Sequence, residues 1–260
     1  MFTKHTLLQG AAILTAAGLA SRLMGFFFRI FLSHAFGEES VGLYQLIFPV
    51  YALCLSVSTA GLQTAVSRMT AERVSQGQKE AAGNVLRIAL CLTLILSSAE
   101  VLLIQQNAAR IAETFLGDPR CAGLLVITSY ALPCAAVHSC ICGYSFGMQR
   151  TEVPAASQLI EQTARILFVV LLFLFIKDTG HVPSIKLAAA GIAAGEFTSA
   201  VFSSKMLSAG RPFGKLPSLS AISGDTRELL SLSVPLTANR AAVTLLQSVE
   251  AASIPACLRL

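Results

Sequence analysis

Charge is what this chain has least of. Only 13% of its 260 residues are Asp, Glu, Lys or Arg, against about 25% in soluble globular domains. Hydrophobic residues reach 54% and mean hydropathy is +0.69. Those proportions exclude an ordinary soluble domain, because no single core needs so many long apolar runs. Catalytic signatures are absent as well. There is no phosphate-binding glycine loop, no zinc-protease helix and no serine elbow, so nothing marks an enzyme. Metal-ligand spacing is missing too. Cys54, Cys91, Cys121, Cys134, Cys140, Cys142 and Cys257 are odd in number. His138, Cys140 and Cys142 point to different faces of a helix and form no tetrahedral set. The cysteines are read as small buried hydrophobes, and neither a metal nor a cofactor is expected. A cleavable signal peptide is not expected either. Ala16, Ala17 and Ala20 imitate its cleavage site, but the apolar run continues past Arg22 through FFFRIF.

What the chain does have is a series of apolar segments. The first runs from Leu7 to Ala35, the second from Val41 to Val66 and the third from Val85 to Gln105. The fourth runs from Ala122 to Gly147. The fifth centres on Leu171 and starts near Ser157, the sixth runs from Ile185 to Leu207, and the seventh starts at Leu229. Their lengths predict an all-α integral membrane protein, a polytopic helical bundle of about seven transmembrane helices. Basic residues predict its orientation. Lys4, Arg68, Arg73, Lys79, Arg87, Arg150, Lys205, Arg211, Lys215 and Arg227 fall on one side. Arg110, Arg120, Lys177 and Lys186 fall on the other, beside Glu38 and Glu39. This ten-to-four bias places the N-terminus in the cytoplasm. The pairs Gly143/Gly147 and Gly191/Gly195 have the spacing that permits close helix packing.

The charges inside these segments are the candidate functional groups. Arg22 and Arg29 are seven residues apart in the first segment, so they share a helix face about 10 Å apart along the axis. Gly18 and Gly25 lie on the same face and leave room beside the cations. A cation in hydrocarbon is costly and normally meets a polar cavity or a partner, so this stripe predicts a site for something anionic. Glu161 and Arg165 are four apart and able to pair along one helix. Glu196 lies near the middle of the sixth segment, Glu100 in the outer part of the third, and Arg240 and Glu250 in the seventh. Structural pairing and ion coupling are both open to these acids, and one of them is expected to pair with a basic residue on another helix. In the second segment Gly42, Tyr44, Gln45, Pro49 and Tyr51 lie close together. Pro49 is expected to bend that helix or free a carbonyl, and broken helices in transporters often line a cavity.

The stretch SRLMGFFFRIFLSHAFGEESVGLYQLIFPVY, from Ser21 to Tyr51, resembles the opening of the stage V sporulation protein B group. That group belongs to the polysaccharide-exporter and lipid-flippase superfamily, with the peptidoglycan-precursor flippases and the multidrug/toxin extruders. The likeness rests on Arg22, Gly25, Phe26, Arg29, Gly37, Gly42, Leu43, Tyr44, Gln45, Pro49 and Tyr51. It continues through Gly61, Leu62, Ala65, Ser67 and Arg68, then Gly143, Gly147, Pro154, Gln158, Glu161, Gln162 and Arg165. Pro235, Leu236, Leu246, Glu250 and Pro255 extend it to the seventh segment.

The resemblance implies the N-terminal half of a two-bundle transporter fold. Residues 1–210 would form a six-helix bundle, 211–228 a cytoplasmic linker, and 229–260 the seventh helix, opening a second bundle. The implied activity is translocation of an anionic polyprenyl-diphosphate-linked oligosaccharide or peptidoglycan precursor across the cytoplasmic membrane, in spore cortex or cell-envelope synthesis. Arg22 and Arg29 would meet the diphosphate, with Gly18, Gly25, Tyr44, Gln45, Pro49 and Arg240 along the substrate path. Coupling to the membrane potential or to a proton or sodium gradient is implied through Glu196, Glu161, Arg165 or Glu250. Membrane lipids and envelope-synthesis proteins are the other expected partners, and no nucleic acid is. The chain has about half the length expected of that family, so alone it is expected to be inactive. A noncatalytic scaffold for envelope synthesis and a multidrug exporter of the same superfamily are the alternatives.

Overall fold

The computed structural model describes residues 4–209 and 219–258, with side chains over 8–209 and 222–247. Every regular element among them is helical. Helix α1 spans Lys4–Phe36. Helices α2 (Glu38–Leu46) and α3 (Phe48–Leu55), a wide π-turn at Ser56–Ala60 and α4 (Gly61–Ser75) together make the second rod. Helix α5 (Lys79–Arg110) runs into a second π-turn at Ile111–Phe115. Then come α6 (Cys121–Ser129), α7 (Ala131–Gly147), α8 (Glu152–Asp178), α9 (Lys186–Ala209) and α10 (Leu219–Leu258).

Five rods are long and apolar enough to cross a membrane: Leu8–Phe36, Glu38–Ser75, Lys79–Phe115, Glu152–Asp178 and Ile222–Gln247. The pair α6 and α7, bent by 42°, makes a sixth. Length and composition therefore support five or six crossings among the described residues, rather than the seven expected. The difference lies in α9. Its 24 residues would span about 36 Å, but Ala, Gly, Ser and Glu196 dilute its apolar character. Its Ala/Gly face is instead buried inside the protein.

Proline sets where the rods bend. The second rod breaks at Ile47, and Pro49 sits in the first turn of α3, where a missing N–H costs nothing. The α6–α7 bend falls at Tyr130, three residues before Pro133. The Pro133 ring would crowd the carbonyl of Ser129 in a continuous helix. Between α1 and α2 the chain turns on Gly37, whose φ of 82° suits glycine.

Glycine pairs set how the rods pack. A Cβ at Gly143 would lie 2.6 Å from the Gln63 carbonyl oxygen, and Gly147 lies against Ser67 and Thr70, so α7 seats directly on α4. Gly191 meets Val169, and a Cβ at Gly195 would lie 2.9 Å from the Glu161 carbonyl oxygen, so α9 seats on α8. Two apolar cores result. One, around Leu32, Ile47, Leu124, Leu132, Val169 and Ile192, joins α1, α2, α6, α7, α8 and α9. The other, around Val66, Met69, Leu86, Cys140 and Leu229, joins α4, α5, α7 and α10.

Helix α10 starts ten residues earlier than the sequence suggests, at Leu219 rather than Leu229, so the latter part of the expected 211–228 linker is helical. It is not detached from the first bundle. Gly61 lies against the Ser233 carbonyl and Thr237 of α10. Arg73 of α4 pairs with Asp225 at 3.1 Å and Glu228 at 2.9 Å. At the opposite end Arg120 joins Glu39 at 2.6 Å and Asp118 at 2.8 Å. These carboxylates hold the exposed Arg120 guanidinium well above its ordinary pKa.

Candidate functional site

Helix α1 buries Ala17, Phe28 and Leu32 against the bundle and turns Arg22 and Arg29 outward, both exposed. No ion pair to either arginine occurs among the described residues. A Cβ at Gly18 would have no neighbour within 4 Å, whereas one at Gly25 would lie 3.3 Å from the Gln162 amide nitrogen of α8. The two glycines of the stripe therefore differ: the first borders open space and the second admits a polar side chain from α8. Tyr44 is buried edge-on against Phe48, within electrostatic reach of both Arg29 and Arg165. Gln45 is exposed and Pro49 half-buried. Arg240 is exposed, and its carbonyl accepts from Thr244 at 2.9 Å. Glu250 lies outside the residues with described side chains.

A second polar group lies inside the bundle, where α3, α7, α8 and α9 meet. The Tyr51 hydroxyl donates to Glu196 Oε1 at 3.3 Å. Glu196 Oε2 lies 3.7 Å from His138 Nδ1. Arg165 pairs with Glu161 one turn away on α8. The ring nitrogens of His138 meet Ser199 Oγ at 3.2 Å and Ser157 Oγ at 2.9 Å. Both hydroxyls already donate elsewhere, Ser199 to the Glu196 carbonyl at 3.0 Å and Ser157 to the Pro154 carbonyl at 2.9 Å. Each ring nitrogen therefore has a hydroxyl partner that is itself bonded to a helix carbonyl.

Two carboxyl groups, one guanidinium and one imidazole thus share the site. Ligand atoms of His138, Glu161 and Glu196 all lie within 4.8 Å of one another, close enough to surround a cation. A cation bound there would share Glu161 with Arg165, which already pairs with it. Sequence spacing gives no sign of this placement for His138, since its partners stand on two other helices. The detectable signals were Glu161, Arg165 and Glu196 themselves, as charges within apolar segments.

Solved transporters share this arrangement of helices. A MOP-superfamily transporter from Pyrococcus furiosus superposes with a TM-score of 0.71 at 20% identity, covering 92% of this chain and 55% of that one. A MATE transporter in complex with MaD5 gives 0.72 at 17% identity with the same coverage. The fold is thus that of about half a MOP/MATE-type transporter, a multi-pass integral membrane protein. The chain belongs to the family described as Polysaccharide biosynthesis protein, whose model matches residues 7–256. Among curated relatives, stage V sporulation protein B of Bacillus subtilis is 36% identical over 163 residues, 63% of this chain and 32% of that protein. Lipid II flippase MurJ of the same species is 28% identical over 170 residues, 62% of this chain and 31% of that protein. The matched region therefore spans about a third of the curated relatives.

Proposed function

We propose that this chain forms the first bundle of a flippase that moves an anionic polyprenyl-diphosphate-linked oligosaccharide or peptidoglycan precursor across the cytoplasmic membrane, in cell-envelope or spore-cortex synthesis. Its N-terminus lies in the cytoplasm, as the basic bias requires. One observation carries the substrate class. Arg22 and Arg29 are exposed on a single face of an apolar helix and have no acidic partner among the described residues, while Arg165 is paired within the bundle. A guanidinium offers a diphosphate bidentate, charge-assisted hydrogen bonds. The lipid II flippase among the relatives of this chain supports the same class. A partner bundle facing α1 would close the path, so this chain alone is expected not to transport.

The test reconstitutes a two-bundle protein containing this chain into liposomes and measures turnover of a lipid-linked glycan. Charge-assisted hydrogen bonds contribute about 1.5–3 kcal/mol each, so Arg22→Ala with Arg29→Ala lowers turnover at least about tenfold. Lys at both positions retains part of it. Wild-type turnover in the double Ala variant would refute the assignment.

The His138–Glu161–Glu196 cluster supplies a coupling site. In this reading it exchanges one positive charge, a proton or a monovalent cation. Turnover driven by imposed proton and sodium gradients is expected to lose its gradient dependence in Glu196→Gln. Unchanged dependence would exclude Glu196 from coupling.

A further inference from the structure

Helix α9 has two faces. Gly191 and Gly195 seat one of them on α8. On the other, Phe197, Ala200, Val201, Ser204, Lys205 and Ser208 form a stripe, because steps of three and four residues return to the same side of a helix. This stripe is one wall of an open groove of about 530 Å³, a size typical of ligand pockets. Pro133 and Val137 of α7 line its floor, and Leu94 of α5 stands on the far side. Helix α7 packs against both α5 and α9 and so holds the two walls in place.

The groove changes character along its length. At one end Leu94, Phe197 and Val201 expose apolar surface, beside the Pro133 turn of the bent α6–α7 rod. The other end is polar. Ser204, Lys205 and Ser208 lie in the last turns of α9, and the Ser208 hydroxyl donates to the Ser204 carbonyl at 2.8 Å. Lys205 is exposed, and no ion pair to it occurs among the described residues. Arg150, which lines a small cavity with Met206 and Leu207, adds a second positive charge at this end. From Phe197 to Ser208 the stripe rises about 16 Å, close to half of a hydrocarbon core about 30 Å thick. The groove thus has the length of one leaflet's acyl chain, with an ammonium where the headgroup of that lipid lies. A lysine stem can follow the apolar wall and carry its charge to the interface.

We propose that this groove binds an anionic phospholipid of the leaflet on the basic-rich side of the protein, with an acyl chain along Leu94, Phe197 and Val201 and the phosphate against Lys205. Charge complementarity selects this occupant, since a lipid of net negative head satisfies the apolar and the cationic end together. The site is separate from the Arg22/Arg29 stripe, because α1 contributes no residue to the groove.

The chain has no tryptophan, so Phe197→Trp supplies a single fluorophore in the groove. The 260-residue variant is placed in vesicles of phosphatidylcholine and phosphatidylglycerol in which one or the other lipid carries brominated, quenching chains. Phosphatidylglycerol is expected to occupy the site about fivefold better than phosphatidylcholine, the factor one basic residue gives toward an anionic lipid surface. Adding Lys205→Gln should bring the ratio close to unity. Leu167→Trp, on the exposed surface of α8 and likewise mid-helix, controls for general enrichment of anionic lipid around a basic protein and should show no preference. Equal quenching by the two lipids in Phe197→Trp, the same preference in Leu167→Trp, or a preference that survives Lys205→Gln would overturn the proposal. So would a Phe197→Trp signal that neither brominated lipid quenches, which would place a protein surface over the groove.

Discussion

Arg165 and the pair Arg22/Arg29 are all guanidinium groups in apolar helices, yet they meet opposite surroundings. Arg165 is only 17% exposed and is paired with Glu161 inside a cluster drawn from four helices. Arg22 and Arg29 stand on the outer face of α1 with no such partner among the described residues. The difference separates two uses of charge in a membrane. A cation paired with an acid one turn away on its own helix is committed within the bundle. A cation facing outward is available to a ligand. The glycines follow the same division, since Gly195 is filled against α8 while Gly18 borders open space.

Stability measurements give the largest expected contrast. Removing one partner of a buried ion pair costs about 3–5 kcal/mol, because the other charge remains buried and unpaired. Arg165→Ala is therefore expected to lower the unfolding free energy in detergent by about that much, whereas Arg22→Ala changes it by no more than about 0.5 kcal/mol. Removing both charges, as Glu161→Gln with Arg165→Gln, should restore most of the loss. Equal destabilisation by Arg22→Ala and Arg165→Ala would erase the distinction between the two regions.

A smaller contrast comes from glycine. Gly195→Ala inserts a methyl against the Glu161 backbone and is expected to destabilise by about 1–3 kcal/mol. Gly18→Ala meets nothing and should stabilise α1 by up to about 1 kcal/mol through helix propensity. Thermal unfolding of both variants in one detergent resolves the signs. A destabilising Gly18→Ala would mean that the α1 face is already occupied.

Much of the helical layout was legible because transmembrane helices satisfy their backbone locally. Each apolar run reports its own rod whatever packs against it. The glycine pairs were legible for a related reason: small residues at four-residue spacing license close contact on one face, and both pairs lie at helix crossings. Which helix each pair meets was not legible, since spacing carries no information about the partner. The start of α10 was missed because residues 219–228 are polar, and hydropathy finds only the apolar part of a helix whose earlier turns are held by Arg73. Helix α9 has the length of a span, but its small residues and Glu196 lower its hydropathy, while Phe197 and Val201 stay exposed on its other face.

By itself the sequence determined an all-helical membrane chain, the approximate position of each rod, and the two-arginine stripe on α1. Those follow from apolar length and from the 3.6-residue period, which are local properties of a helix. Only the tertiary structure decided which charges are satisfied. His138 meets Ser157, Glu196 and Ser199 on two neighbouring helices. Such partnerships depend on the rotation and crossing of whole helices. Close glycine contacts from several segments fix that geometry together, so no single stretch of sequence contains it.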